Sequence, residues 1–195
     1  MSSTPVRRPG RASAADRILE AATRRIARDG SAAVSVQDVA DEAGVSKALV
    51  HYHFHDKDAL LARLTGDLAD AVVQREARVF RDVEPAGAVD ALWTWLGEEL
   101  QAGELRVLLD LAASPAPPVR AAARRAAHER RVAAARTVAT LFALLDLVPR
   151  VPIEMLADVA VAFVDGVATD AAVEPERNHR VAFDGFWLAL LGLAE

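Results

Sequence analysis

The sequence predicts an all-α protein of about nine helices, and three observations carry that prediction. Apolar residues recur at three- and four-residue spacing along most of the chain. No segment joins two-residue alternation to β-branched enrichment, as a half-buried strand would. The helix breakers Pro85, Gly103, Pro115, Pro117, Pro118, Pro149, Pro152 and Pro175 fall between the periodic segments and not inside them. At 195 residues the chain is long enough for a substantial core, and 52% hydrophobic with 26% charged residues describes a globular protein. Cysteine is absent, which excludes a disulfide framework and any cysteine-based metal site or nucleophile.

The elements follow in order. Residues 1–12, rich in Pro, Ser, Gly and Arg, read as a flexible basic arm whose Arg7, Arg8 and Arg11 either reach a DNA minor groove or simply solubilise the tail. Ser13 to Asp16 has the form of a capping box, and Ile18, Leu19, Ala22 and Ile26 continue it at helical spacing until Gly30. Ser35 to Asp38 repeats the start signal for a short helix with Val36, Val39 and Ala40 on its apolar side. Gly44 then supplies the residue tolerant of positive φ that a tight interhelical turn requires. Val45 is a turn hydrophobe, and Ser46 caps a helix running from Lys47 to about Tyr52. Asp56 caps the next helix, whose stripe Leu60, Leu61, Leu64, Leu68, Val72, Val79 extends to about Arg81. Further helices are expected near 86–101, 104–113, 117–147, 152–173 and 176–193.

Residues 35–64 therefore spell a helix, a glycine turn, a second helix and the start of a third. This is the helix-turn-helix pattern, in which the second helix enters the DNA major groove. The net charge of −5 counts against nucleic acid only when averaged. Residues 1–63 carry ten basic against eight acidic side chains, whereas residues 64–195 carry thirteen against twenty. Both lysines of the chain, Lys47 and Lys57, and its one tyrosine, Tyr52, lie inside the motif.

Residues 13–64 resemble the DNA-binding domain of the tetracycline-repressor (TetR) family of bacterial regulators. The resemblance is carried by Gly30, Ser35, Val39, Ala40, Ala43 to Lys47, Tyr52 to Phe54, Lys57, Leu60 and Leu61. It departs from the family pattern at His51, where an aromatic, most often Tyr, is usual. It departs again at Ala48 and Leu49, where a small residue and then a polar one are usual. Farther along, residues 163–193 look like the family's last two helices. The resemblance implies an N-terminal DNA-binding domain (13–62) on a C-terminal ligand-binding and dimerisation domain (63–195). It also implies a double-stranded operator, a small-molecule effector and a homodimer.

The candidate DNA-binding residues are Gln37, Ser46, Lys47, Ala48, Leu49, His51, Tyr52 and Lys57. Lys47 suits a phosphate or guanine contact, and Ala48 and Leu49 an apolar contact such as a thymine methyl. His51 and Tyr52 suit phosphate hydrogen bonds, and Gln37 a backbone or base-edge contact. Lys57, in the first turn of its helix, reads as a phosphate clamp. His51 and His55 share a helical face, but no nearby carboxylate or cysteine completes a ligand set, so no metal or other cofactor is expected.

The last two helices read as half of a four-helix dimer interface through Ile153, Ala160, Val164, Ala182, Gly185 and Ala189. An apolar or amphipathic effector is expected between about residues 86 and 170, with Trp95, Asp110, His128, Phe142 and Phe163 as candidate contacts. Asp110 is either a solvent partner of Arg106 or a polar group in that pocket, and His128 adjoins the solvated arginines Arg120, Arg124 and Arg131. No nucleophile–base pair, metal set or phosphate loop supports an all-α enzyme. A ligand-independent architectural DNA binder remains the other alternative, favoured by a solid C-terminal core. No apolar run approaches the ~20 residues of a membrane span, and the N-terminus lacks an apolar signal region, so a cytoplasmic address is expected.

Overall fold

The computed structural model describes residues 13–195. The expected arm at residues 1–12 lies outside them. Nine α-helices run in chain order among the described residues: α1 (Ala14–Asp29), α2 (Val36–Ala43), α3 (Lys47–Phe54), α4 (Lys57–Glu76), α5 (Ala88–Ala102), α6 (Glu104–Ala112), α7 (Pro117–Leu144), α8 (Ile153–Val173) and α9 (Arg180–Leu191). The sole sheet-like feature among them is an isolated bridge between Pro149 and Ala194, where the α7–α8 loop meets the C-terminus.

Local chemistry sets the helix boundaries. Ser13 and Ser35 both form complete capping boxes, each hydroxyl taking the N–H of the aspartate three residues on while that carboxylate takes the serine N–H. Gly44 sits at φ 64°, ψ 39°, the left-handed conformation that turns α2 into α3. α4 ends at Glu76, short of the expected Arg81. Past it the N–H groups of Arg78, Val79 and Arg81 bond three residues back, tightening the chain into turns that fold Val79 and Phe80 under the C-terminal core.

Two hydrophobic clusters build the molecule. The first joins α1 to α4 with α6 and the start of α7, around Ile18, Ile26, Val39, Val50, Leu60 and Leu64, met by Leu105, Leu108 and Leu111. The second joins α5, α7, α8 and α9 around Leu96, Leu141, Phe142, Leu156, Phe183 and Trp187. α4 belongs to the first cluster and reaches the second at its C-terminal end. At 20 residues it is about 30 Å long. α7 packs along it, burying Val119 and Ala126 in the first cluster and Val138, Leu141 and Phe142 in the second. Arg120, Arg124 and Arg131 on α7 are exposed.

Candidate nucleic-acid interface and effector cavity

The recognition element is held from below. Val50 and Phe54 are buried against α1, α2 and α4, and the Ser46 hydroxyl accepts the Leu49 N–H at 3.2 Å. Held this way, α3 presents Lys47, Ala48, His51 and Tyr52 to solvent, with Leu49 half-buried. Tyr52 is 77% exposed, far more than a ring of its size in a core, and stands edge-on to His53 at 5.3 Å. Lys47 makes no ion pair among the described residues. Gln37 is exposed on α2, its amide nitrogen donating to Asp41 at 2.8 Å.

Two candidate residues on this face are already engaged within the chain. The Lys57 ammonium is half-buried and donates to the Ser31 carbonyl at 2.9 Å, which ties the α1–α2 turn to α4 and leaves two of its three N–H donors. His51 has its Nδ1 2.6 Å from the carbonyl of His55. A neutral ring that donates there offers only an acceptor at Nε2, so His51 can donate to a phosphate only as an imidazolium.

α6 links the two halves of the molecule. Asp110 accepts the Ser31 N–H at 2.7 Å, and Arg106 donates to the carbonyl of Ala27 at the end of α1. Asp110 is thus a tie to the helix-turn-helix and not a solvent partner of Arg106, and the cleft it borders is one shared with Ser31 and Lys57. At the other end of α6, Glu104 accepts from Arg75 of α4 at 2.7 Å, and the same guanidinium grips the buried Glu99 of α5 at 2.5 and 2.8 Å. These carboxylates, with the Glu99 hydrogen bond foremost, hold Arg75 firmly protonated.

Next to Arg75, Glu76 points into a small cavity of about 40 Å³ between α4, α5, α7, α8 and α9. Val72, Leu92, Val138 and Val164 supply apolar walls, and Trp95 and Trp187 close two sides. Neither indole N–H meets an acceptor. Burial of the Glu76 side chain pushes its carboxyl up to about 7, opposed by a hydrogen bond from Thr137 and the charge of Arg130, and reinforced by the charge of Glu99. Arg130 is itself buried and spends its guanidinium on Asp165 at 2.5 Å. A wider cleft of about 420 Å³, bordered by Arg75, Arg78, Thr94 and Glu98, lies on the other side of Trp95.

Of the expected pocket residues, Trp95 alone borders the cavity. His128 is exposed, on an outer groove beside Arg131 and Asp158. Phe142 is 1% exposed and fills the core. Phe163 stacks on Phe186 at 4.2 Å instead. Glu76 and Arg130 were missed, though both sit at four-residue spacing on apolar stripes, Val72 to Glu76 and Ala126 to Arg130. A charged residue on a buried stripe was the available signal.

The expected dimer face divides. Ala182, Gly185 and Ala189 are exposed on α9. On α8, however, Ala160 is buried and borders the cavity with Val164, and Ile153 packs against the second core, so that side of α8 faces inward. The outward side carries Met155, Val159 and Val173, continued on α9 by Val181 and Leu188. The expectation failed because α8 is apolar nearly all round, leaving periodicity no means of choosing a side.

Among the described residues no group of three His, Cys, Asp or Glu could hold a metal ion, and no helix is long and apolar enough to cross a membrane.

Comparison with known proteins follows the same division. The family model described as bacterial regulatory proteins, tetR family, matches residues 18–64, the helix-turn-helix and its flanks. An uncharacterised HTH-type transcriptional regulator, YerO, of Bacillus subtilis is 41% identical over 46 residues, which are 24% of this chain and 16% of that protein. In fold the likeness covers nearly everything. The crystal structure of a transcriptional regulator from Rhodococcus sp. RHA1 has a TM-score of 0.77 and 26% identity, covering 93% of this chain and 98% of its own. The regulator FadR from Bacillus subtilis, solved in complex with stearoyl-CoA, has a TM-score of 0.70 and 15% identity, covering 90% of this chain and 96% of that one. Sequence likeness is concentrated in the helix-turn-helix and its flanks, inside a fold shared nearly end to end, and it is these residues, 18–64, that match the tetR family of bacterial regulatory proteins.

Proposed function

We propose that this protein is a homodimeric, ligand-responsive DNA-binding regulator acting as a repressor in the cytoplasm, without enzymatic activity. One observation carries the reading: a solvent-facing recognition helix is tied, through named polar contacts, to a C-terminal core that contains an apolar cavity with a buried carboxyl. Lys47 and Tyr52 would contact phosphates, Ala48 and Leu49 would meet base edges by apolar contact, and Gln37 would reach the backbone or a base.

The exposed apolar strip of Met155, Val159, Val173, Val181 and Leu188 supports pairing with a second copy, with Gly185 and Ala189 allowing close helix approach. Two-fold pairing would set the recognition helices about one turn of DNA apart, roughly 34–36 Å. A ligand at Glu76 would displace the end of α4 and the Arg75–Glu104 contact. The shift would pass along α6 to Asp110 and Arg106, which hold the helix-turn-helix. By linkage, whatever factor the ligand takes from DNA affinity, DNA must take from ligand affinity.

Selecting bound fragments from a random double-stranded pool tests the proposal. A two-fold symmetric consensus is the expected result. An absence of enrichment, or enrichment of an asymmetric single site, would refute the dimeric operator reading.

A further inference from the structure

We infer that the cavity at Glu76 and the cleft outside Trp95 form one binding site for a compact lipophilic amine, taken as its ammonium ion. The inference rests on the proposed reading of the chain as a ligand-responsive regulator, and names the chemical class that the site would accept.

Glu76 is 8% exposed and makes no ion pair among the described residues. The nearby cation, Arg130, is engaged by Asp165, and Arg75 is engaged by Glu99 and Glu104. A carboxylate in such a place lacks a cation, and burial disfavours its charged form until one arrives. The surroundings fit an organic cation: apolar side chains and two indoles, whose ring faces attract cations. The indole N–H groups of Trp95 and Trp187 are both buried without an acceptor, and Trp187 is 6% exposed. An ether or carbonyl oxygen on the ligand body would satisfy one of them. A long acyl chain fits poorly, because its end would press alkyl groups against the Glu76 carboxyl.

Size fixes the route. The inner cavity, at about 40 Å³, holds little more than a water molecule. Trp95 is the wall it shares with the outer cleft of about 420 Å³. Turning that half-buried indole joins the two into a space within the usual range for small-molecule sites, roughly 300–1,000 Å³. Trp95 is therefore the gate, and Glu76 the anchor at the inner end.

The test uses three probes of one shape and different charge: 4-methoxyphenethylammonium, neutral 1-methoxy-4-propylbenzene and anionic 3-(4-methoxyphenyl)propanoate. All three tryptophans of the chain, Trp93, Trp95 and Trp187, lie in or beside the site, so intrinsic fluorescence of the DNA-free protein reports binding directly. The cation should bind at least tenfold more tightly than either isostere. Glu76→Gln should abolish that preference while unfolding cooperatively on heating. Equal or tighter binding of the anion or the neutral probe by the unaltered protein would overturn the inference with no variant needed. So would an ammonium preference that survives in Glu76→Gln, or no binding of the cation at millimolar concentration. If the cation binds through Glu76 but leaves affinity for selected DNA unchanged, the site stands and the regulatory reading fails. If selected DNA binds but the cation does not, the reverse holds.

Discussion

Replacing Glu76 with glutamine should alter the pH dependence of stability in a way that follows from its position alone. The folded carboxyl titrates near 7 against an ordinary value of 4.5, with burial as the main cause. As pH rises, the unfolded chain gives up its proton first, so unfolding releases a proton between about 4.5 and 7. Stability from this group is complete below 4.5 and is lost as pH climbs through 7. At about 1.4 kcal/mol per pH unit, the loss is roughly 3 kcal/mol by pH 8. Glutamine resembles the protonated acid in shape and hydrogen bonding but does not ionise. The two proteins should therefore be nearly equal in stability at pH 4.5, and the variant more stable by roughly 3 kcal/mol at pH 8. Urea unfolding at fixed protein concentration, stepped from pH 4.5 to 8, measures the difference. The groups facing Glu76, Thr137 and Arg130 of α7 and Glu99 of α5, are present in both proteins and leave the difference to residue 76. Parallel pH profiles, or a variant weaker at pH 8, would show that the Glu76 carboxyl is better solvated or better paired than its burial implies.

Other outcomes are expected at the DNA face, the turn, the tie and the interface. Lys47→Ala should weaken DNA binding and flatten its log–log salt dependence by nearly two for a dimer, at ~0.9 per phosphate contact; filter binding across salt concentrations measures it, and an unchanged slope counts against the phosphate role. Gly44→Ala meets no atom within 4 Å, so its effect is backbone strain at φ +64°, about 1–2 kcal/mol on thermal unfolding. Asp110→Ala leaves the half-buried Ser31 N–H without its acceptor, at about 1–3 kcal/mol, and should reduce the effect of ligand on DNA affinity more than either affinity alone. Gly185→Leu is accommodated within one chain, where nothing lies within 4 Å of an added Cβ, yet should shift sedimentation toward monomer.

Much of the fold was legible because its signals are local. Both serine capping boxes, the glycine turn and the proline breakers act within a few residues, and the structure places them as expected. The exposed side of α3 was legible for the same reason: Val50 and Phe54 mark its buried side four residues apart. The cavity was not, since it depends on which stripes of five helices converge. Phe142 and Phe163 have the composition of pocket walls but spend their rings on the core and on Phe186. Asp110 read ambiguously because its partner, the N–H of Ser31, lies 79 residues away and has no side-chain signature. Lys57 looked free because a backbone carbonyl leaves no trace in the sequence.

The first hydrophobic cluster does not end where the helix-turn-helix does. Leu105, Val107, Leu108 and Leu111 of α6, with Val119 and Ala126 of α7, complete the core begun by α1 to α4. A chimaera cut at residue 62 would thus strip the reading head of part of its own floor, along with the Asp110 and Arg106 ties. Grafting this head onto another sensor requires α6 and the first turns of α7 to travel with it, or a recipient whose equivalent helix offers the same leucine spacing. Conversely, α9 and the far end of α7 can be exchanged with less disturbance to the DNA-facing surface, whereas α8 reaches the first cluster through Ala168. The seam for engineering new specificities therefore runs through the interior of α7 and not along the chain at the end of the motif.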